Sequence, residues 1–153
     1  MTGEEFSQAY HRARSEDKAQ YLVEALPYAN FLGMEALKVN NAWQFRLPPR
    51  PHNIGNPVLP ALHGGAIAGF MEMSAVVHVF MTMDVERISG HEARVPKIID
   101  FSIDYIRACR LETTFAACEV LRRGRKVTNI AIRVWQQDPN VLAATARAHY
   151  LLD

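Results

Sequence analysis

Hydrophobic and polar positions change rhythm several times along this chain, and each change predicts an element. From Thr2 to Leu26 the apolar residues Phe6, Tyr10, Leu22, Val23 and Leu26 stand apart among charged neighbours. That spacing predicts one or two amphipathic surface helices, capped by Thr2 with Glu4 and Glu5 behind it and ending before Pro27. "PYANFLG" predicts a short turn or helical piece leading to Gly33. Ala36, Val39, Trp43, Phe45 and Leu47 then alternate loosely, which predicts a hairpin or bent strand turning at Asn40-Asn41. "PPRPHNIGNPVLPAL" predicts an ordered loop rather than a linker, because both its flanks belong to one core.

"LPALHGGAIAGFMEMSAVVHVFMTM", Leu59 to Met83, is different in kind. Between His63 and Met83 it carries one formal charge, Glu72, in a Gly- and Ala-rich apolar run. The run predicts a long buried helix. It approaches membrane-span length, but a carboxylate near a bilayer centre costs roughly 2.5–3.5 kcal/mol. The amphipathic strands that follow argue further for a buried helix and no membrane partner.

"DVERISGHEARVP" predicts a polar connection, and four strand-like runs come after it. Lys97 to Arg107 places Ile99, Phe101, Ile103 and Tyr105 on one face against Asp100, Ser102 and Asp104. Leu111 to Arg122 is a second run, turning at Gly124. In the third, Val127, Asn129, Ala131, Arg133 and Trp135 alternate with Thr128, Ile130, Ile132 and Val134. "DPN" turns into the last, Val141 to Leu152. A helix apolar all round must be covered on all sides. A strongly curved antiparallel sheet wrapped around it does so, which predicts a two-layer α+β domain.

Composition narrows the function classes. A chain of 153 residues suits a single domain, 1–153, with residues 1–26 as a helical extension of the core 27–153. A net charge of +1 gives no reason to expect a nucleic-acid partner. Cys109 and Cys118 form no metal motif, and the six histidines show no HxH or HExxH spacing, so no metal is expected. The cysteines read as reduced, half-buried strand residues of a cytoplasmic protein without a signal peptide.

Candidate chemistry centres on the long helix. His63-Gly64-Gly65 stands where it begins, and a helix start offers unpaired amides and partial positive charge. Glycine lets a ligand approach those amides; the Gly64 amide is the predicted oxyanion donor, worth about 3–4 kcal/mol. The plain alternative is tight helix entry against a strand. Glu72 shares a face with Gly65, Ala68, Gly69, Val76 and Val79, and no Lys, Arg or Asp lies within ten residues of it. Such a carboxylate should have a raised pKa and could act as nucleophile or general base. Within one chain the two groups lie about 12 Å apart along the axis and about 80° apart around it. Two antiparallel copies of the helix would bring Glu72 of one chain toward Gly64 of the other, which predicts an obligate homodimer with composite sites.

"LHGGAIAGFMEMSA" resembles the His-Gly-Gly helix entry of hotdog-fold acyl-CoA thioesterases of the phenylacetic-acid-degradation (PaaI-like) type, in which an acidic residue follows the histidine by nine positions. "PYANFLGME", "IDFSIDYIRAC" and "VLRRGRKVTNIAIRVWQQD" extend the resemblance over about residues 27–152. That family commonly has Asp at the acidic position, while a 4-hydroxybenzoyl-CoA thioesterase branch has Glu, as here. The resemblance implies a hotdog fold, hydrolysis of an acyl-CoA to a carboxylic acid and free coenzyme A, no cofactor, and a dimer or a dimer of dimers (a homotetramer). It implies catalytic roles for Glu72 and Gly64, with His63 and Gly65 beside them.

Relatives often carry an asparagine ahead of HGG; Asn56 is chosen over Asn53, although loop asparagines also serve simply as turn formers. Where many relatives have Ser or Thr this chain has Ile98, so a hydroxyl partner for the water is either missing or supplied from elsewhere, with Ser74 the candidate. Arg107, Arg123 and Arg125 are placed to meet coenzyme A phosphates, or form a solvated basic rim. Met71, Met73, Met81 and Met83 could line an acyl pocket or be plain core. A non-catalytic module binding acyl-CoA is the second reading. An acyl-CoA hydratase, the third, would want a paired Asp and His on the helix.

Overall fold

The computed structural model describes residues 1–82 and 96–152. The polar connection predicted over 84–96 falls outside these except for Pro96, as does Met83. Helix α1 spans Gly3–Ser15 and opens with the predicted cap: the Thr2 hydroxyl accepts from the Glu5 amide at 3.2 Å while the Glu5 carboxylate accepts from the Thr2 amide. Its apolar face buries Phe6 and Tyr10 against Phe80, with ring centroids 5.2 and 5.7 Å apart. Two short helices follow, α2 (Gln20–Ala25) and α3 (Pro27–Leu32), and Gly33 closes α3 at φ 74°, a left-handed position that glycine takes without strain.

Strands β1 (Glu35–Val39) and β2 (Ala42–Leu47) form the predicted hairpin. Asn40 and Asn41 at its turn have φ of 49° and 62°, the pair of positive values that a two-residue hairpin turn requires. The proline-rich loop is ordered: a 3₁₀ turn at Pro51–Asn53, then β3 (Ile54–Asn56) paired with β4 (Ala61–Leu62). Helix α4 spans Gly64–Thr82, and β5 (Lys97–Tyr105), β6 (Thr114–Arg123), β7 (Val127–Trp135) and β8 (Leu142–Leu151) complete the chain.

Six strands make one antiparallel sheet in the order β1-β2-β6-β7-β8-β5. The sheet packs on α4, whose Ile67, Phe70, Met71, Ala75, Val77 and Phe80 are buried with Ile130, Ile132, Val134 and Tyr150. This is the helix-in-sheet arrangement of the hotdog fold. It also explains why α4, long and apolar enough to cross a membrane, is instead the core of the domain.

Several expectations need correction. The four last strands do not lie side by side in chain order: β5 lies at the far edge beside β8, so residues 106–113 carry the chain past the ends of β8 and β7 to β6, which begins at Thr114 rather than Leu111. Ile106 and Arg107 amides donate to the Ala143 carbonyl along that path. Cys109 is buried in this crossover and not in a strand. The face of β5 also differs. A register shift between Ile98 and Asp100 turns Ile98 inward and leaves Ile99 56% exposed, while Phe101 and Ile103 keep their predicted side. Tyr105, at the strand end, is 52% exposed.

Candidate active site

The start of α4 is fixed from three directions. The His63 amide donates to the Asn53 carbonyl at 2.7 Å, and buried Asn53 in turn donates from Nδ2 to the Leu32 carbonyl at 2.9 Å. The Leu62 amide donates to the Cys109 carbonyl, tying β4 to the crossover. From β5, the Tyr105 hydroxyl donates to the Gly64 carbonyl at 2.7 Å, and its ring lies 3.3 Å from where a Gly64 Cβ would stand. His63 then serves as a cap: its Nδ1 accepts from the Gly65 amide at 2.8 Å and its carbonyl accepts from Ile67. Helix geometry leaves the first amides without intrahelical partners. Gly65 is satisfied by His63, and the Gly64 amide is among the first-turn amides that helix geometry leaves without an intrahelical partner.

Two turns further, Glu72 is half-buried and its carboxylate forms no ion pair among the described residues. Burial pushes its pKa up from the ordinary carboxylate value. Its backbone carbonyl accepts from the Tyr150 hydroxyl at 3.0 Å, which fixes the helix turn that presents the side chain. The Glu72 face is the least covered part of the helix: Gly65 is exposed and Ala68 half-buried. Farther along that face the space closes. Val76 and Val79 are buried, and the room beside Gly69 is filled by the Tyr28 ring.

Other candidates are placed elsewhere. Asn56 uses its Oδ1 to accept from the Val58 and Leu59 amides, which makes it a turn former; Asn53, passed over for the site, carries the buried anchor instead. Ser74 is fully buried and donates to the Phe70 carbonyl at 2.7 Å, about 200° around the helix from Glu72. It does not stand beside the carboxylate. Ile98, half-buried, pairs with Tyr150 and supplies no hydroxyl.

Arg123 donates to both the carbonyl and the hydroxyl of Thr82, the latter at 2.9 Å, and so caps the C-terminus of α4. Arg14 from α1 adds a second bond there, to the Met81 carbonyl. Arg107 sits in the crossover, at the Gly64 end of the molecule, lining a cleft with Arg110, Gln136 and Ala143. Arg125 stands at the β6–β7 turn. Following β8 from Ala144, paired with Tyr105, to Leu151, paired with Val127, separates these two ends by about 23 Å. One coenzyme A phosphate cannot meet Arg107 and Arg125 of the same chain. Met71 and Met81 are buried core, and Met73 packs partly against it.

Sequence reasoning missed Tyr105, set Asn53 aside in favour of Asn56, and missed Tyr28. Their contacts join segments 41, 21 and about 40 positions apart, and nothing in local periodicity encodes them. Among the described residues no group of three or more His, Cys, Asp or Glu side chains could hold a metal ion.

Known proteins place this architecture. The family model of the thioesterase superfamily matches residues 59–143, the span that contains the whole of α4, β5, β6 and β7. A medium/long-chain acyl-CoA thioesterase named YigI, from Escherichia coli and from Salmonella typhimurium, is 31% identical, with 83% of this chain and 86% of that protein covered. A crystal structure of a protein from Chromobacterium violaceum is 35% identical and superposes with TM-score 0.73, covering 95% of this chain and 97% of that one. A phenylacetic acid degradation-related protein from Ralstonia eutropha, 17% identical with TM-score 0.71 over 96% of this chain and 98% of its own, shares the fold. On the family match and these relatives, the chain belongs to the thioesterase superfamily.

Proposed function

We propose that the protein hydrolyses acyl-CoA thioesters in a composite site, with Glu72 of one chain opposite the Gly64 amide of a second copy. The observation that carries this reading is a desolvated carboxylate, without an ion pair among the described residues, on the open face of a helix that begins at a half-buried glycine. The oxyanion formed at the thioester carbonyl would accept from Gly64. Glu72 would either take a proton from water as that water attacks, or attack the carbonyl itself and form an anhydride that water then opens. In both routes the C–S bond breaks, the thiolate leaves and is protonated, and the acyl group ends as a carboxylic acid. The chemistry asks for water and no resident metal or redox group.

The homodimer is supported by what surrounds the site. β5 is an edge strand of nine residues, and Ile99, Tyr105 and Ile106 on and after it are exposed, as are Val58 and Leu59 in the nearby loop. A partner along this edge would bury them and bring a second α4 alongside; a dimer of dimers is the larger assembly of the same kind. For the acyl group we favour medium or long chains, from the name of the YigI relatives and the apolar rim. A cytoplasmic setting suits coenzyme A chemistry and the two unpaired cysteines, whose thiols burial pushes up, to about 11 for Cys109.

The test is release of free thiol from a panel of acyl-CoAs by the wild type, Glu72→Gln and Glu72→Ala. Either change should cost at least about a hundredfold in rate. Glu72→Gln should also raise Tm: a carboxyl whose folded pKa lies above its unfolded one is held at a cost at neutral pH, and the amide removes that cost. Full rate in both variants, or activity at the monomer mass in light scattering, overturns the reading.

A further inference from the structure

Gly69 is crowded more tightly than the other glycines of α4. A Cβ there would lie 2.6 Å from Cε1 and 2.7 Å from the hydroxyl oxygen of Tyr28, so the phenol end of that ring rests directly on the helix backbone. No side chain can occupy position 69 while the ring stays where it is. The ring is held from behind by stacking on Phe31 at 6.3 Å, and Phe31 packs against His52 at 4.8 Å, whose Nε2 meets the Phe31 carbonyl. α3 thus delivers Tyr28 to one place on α4.

That place is beside Glu72. Residues three apart on a helix have Cβ atoms about 5–6 Å apart. With the phenol oxygen 2.7 Å from the Gly69 Cβ position, it lies no more than about 9 Å from the Cβ of Glu72. Glutamate side chains on a helix lean back toward the N-terminus, here toward Gly69. The gap that remains suits one bridging water. The phenol makes no hydrogen bond among the described residues, and the ring is 45% exposed, so a ligand can reach it. The other hydroxyls around the site are committed to backbone carbonyls, Tyr105 to Gly64, Tyr150 to Glu72 and Ser74 to Phe70, and position 98 is isoleucine.

We propose that the Tyr28 hydroxyl is the water-positioning group of this site, holding the water against Glu72, and that Gly69 is bare so that the ring can stand there. The inference rests on the role given above to Glu72. In either route a water must reach the acyl carbon in line with the carboxylate. A phenol that donates to Glu72 or accepts from the water restricts its orientation without changing the atoms exchanged.

Three variants test it together: Tyr28→Phe, Gly69→Ala and the pair, with Glu72→Gln as reference. Tyr28→Phe keeps the ring, its stack and its packing, so Tm should hold. Its kcat should fall about tenfold, the scale of one hydrogen bond, with KM unchanged. Loss of a donor near Glu72 should also move the acid limb of the kcat profile to higher pH. Gly69→Ala displaces the ring and should lower kcat to a similar degree although the hydroxyl is still present; the double variant should be no slower than the worse single one. If Glu72→Gln abolishes hydrolysis while Tyr28→Phe keeps both kcat and pH profile, the Tyr28 role is wrong and the Glu72 role stands. If Glu72→Gln is fully active, both fall.

Discussion

Lowering the pH should unfold this protein through one histidine. His78 sits on α4, with its Nδ1 shut off from solvent and without a hydrogen-bond partner. Burial, helped by the neighbouring Arg123 charge, pulls its pKa from 6.5 down to about 4. The folded state therefore refuses a proton that the unfolded chain accepts. The stabilisation is fully present above pH 6.5 and drains away as pH falls from there toward about 4. The full shift corresponds to about 3 kcal/mol, and by pH 5 about 2 kcal/mol of it is already gone. That is a large part of the 5–15 kcal/mol of a typical domain. Urea denaturation at pH 7.5 and pH 5, with wild type and His78→Gln, isolates the effect. Wild type should lose about 2 kcal/mol more than the variant between the two conditions. Equal losses, or an NMR titration of His78 near its ordinary value, would refute the reasoning.

Two substitutions probe placements that differ from expectation. Arg123→Ala should lower stability by about 1–2 kcal/mol, since a charged cap and its dipole interaction are lost from an exposed position, and Tm should fall by about 2–8 °C. Its KM for acyl-CoA should not change; a raised KM with an unaltered Tm would restore the phosphate-binding role. Gly55→Ala would press a Cβ to 2.6 Å from the His63 Cα across the β3–β4 pair. It should cost about 1–3 kcal/mol, read in thermal melts, and should lower kcat as well by disturbing the cap on Gly65; an unperturbed melt would count against that close approach.

What the sequence could reveal was whatever is local. Asn40-Asn41, the Thr2 cap, the end of α2 before Pro27 and the start of α4 all follow from neighbours within a few positions, and all stand where the local pattern placed them. The alternation of β7 is likewise borne out, with Thr128, Ile130, Ile132 and Val134 buried. β5 shows the limit of the method. Its apolar residues include both Ile98 and Ile99, and only the bulge against β8 decides which faces inward. At the site, Glu72 declares itself as a single charge in an apolar run. Tyr28, Tyr105 and Asn53 do not, because a phenol resting on a glycine and a carboxamide reaching a carbonyl in another segment are properties of packing. Arg123 is ambiguous for the same reason: a basic turn looks alike in sequence whether its partner is a phosphate or, as at Thr82 here, the end of a helix.

The order of strands has a consequence for how the chain is made. β5 leaves the ribosome before β6, β7 and β8, yet its neighbour in the sheet is the last of them. Until Leu142–Leu151 has emerged, the nascent sheet has no seat for β5, and the apolar helix before it lacks part of its cover. Such late, long-range closure slows folding and leaves a bare strand in the waiting intermediate. Trimming even the final strand would therefore be felt two elements away, as a chain that clumps during synthesis rather than one that simply melts earlier.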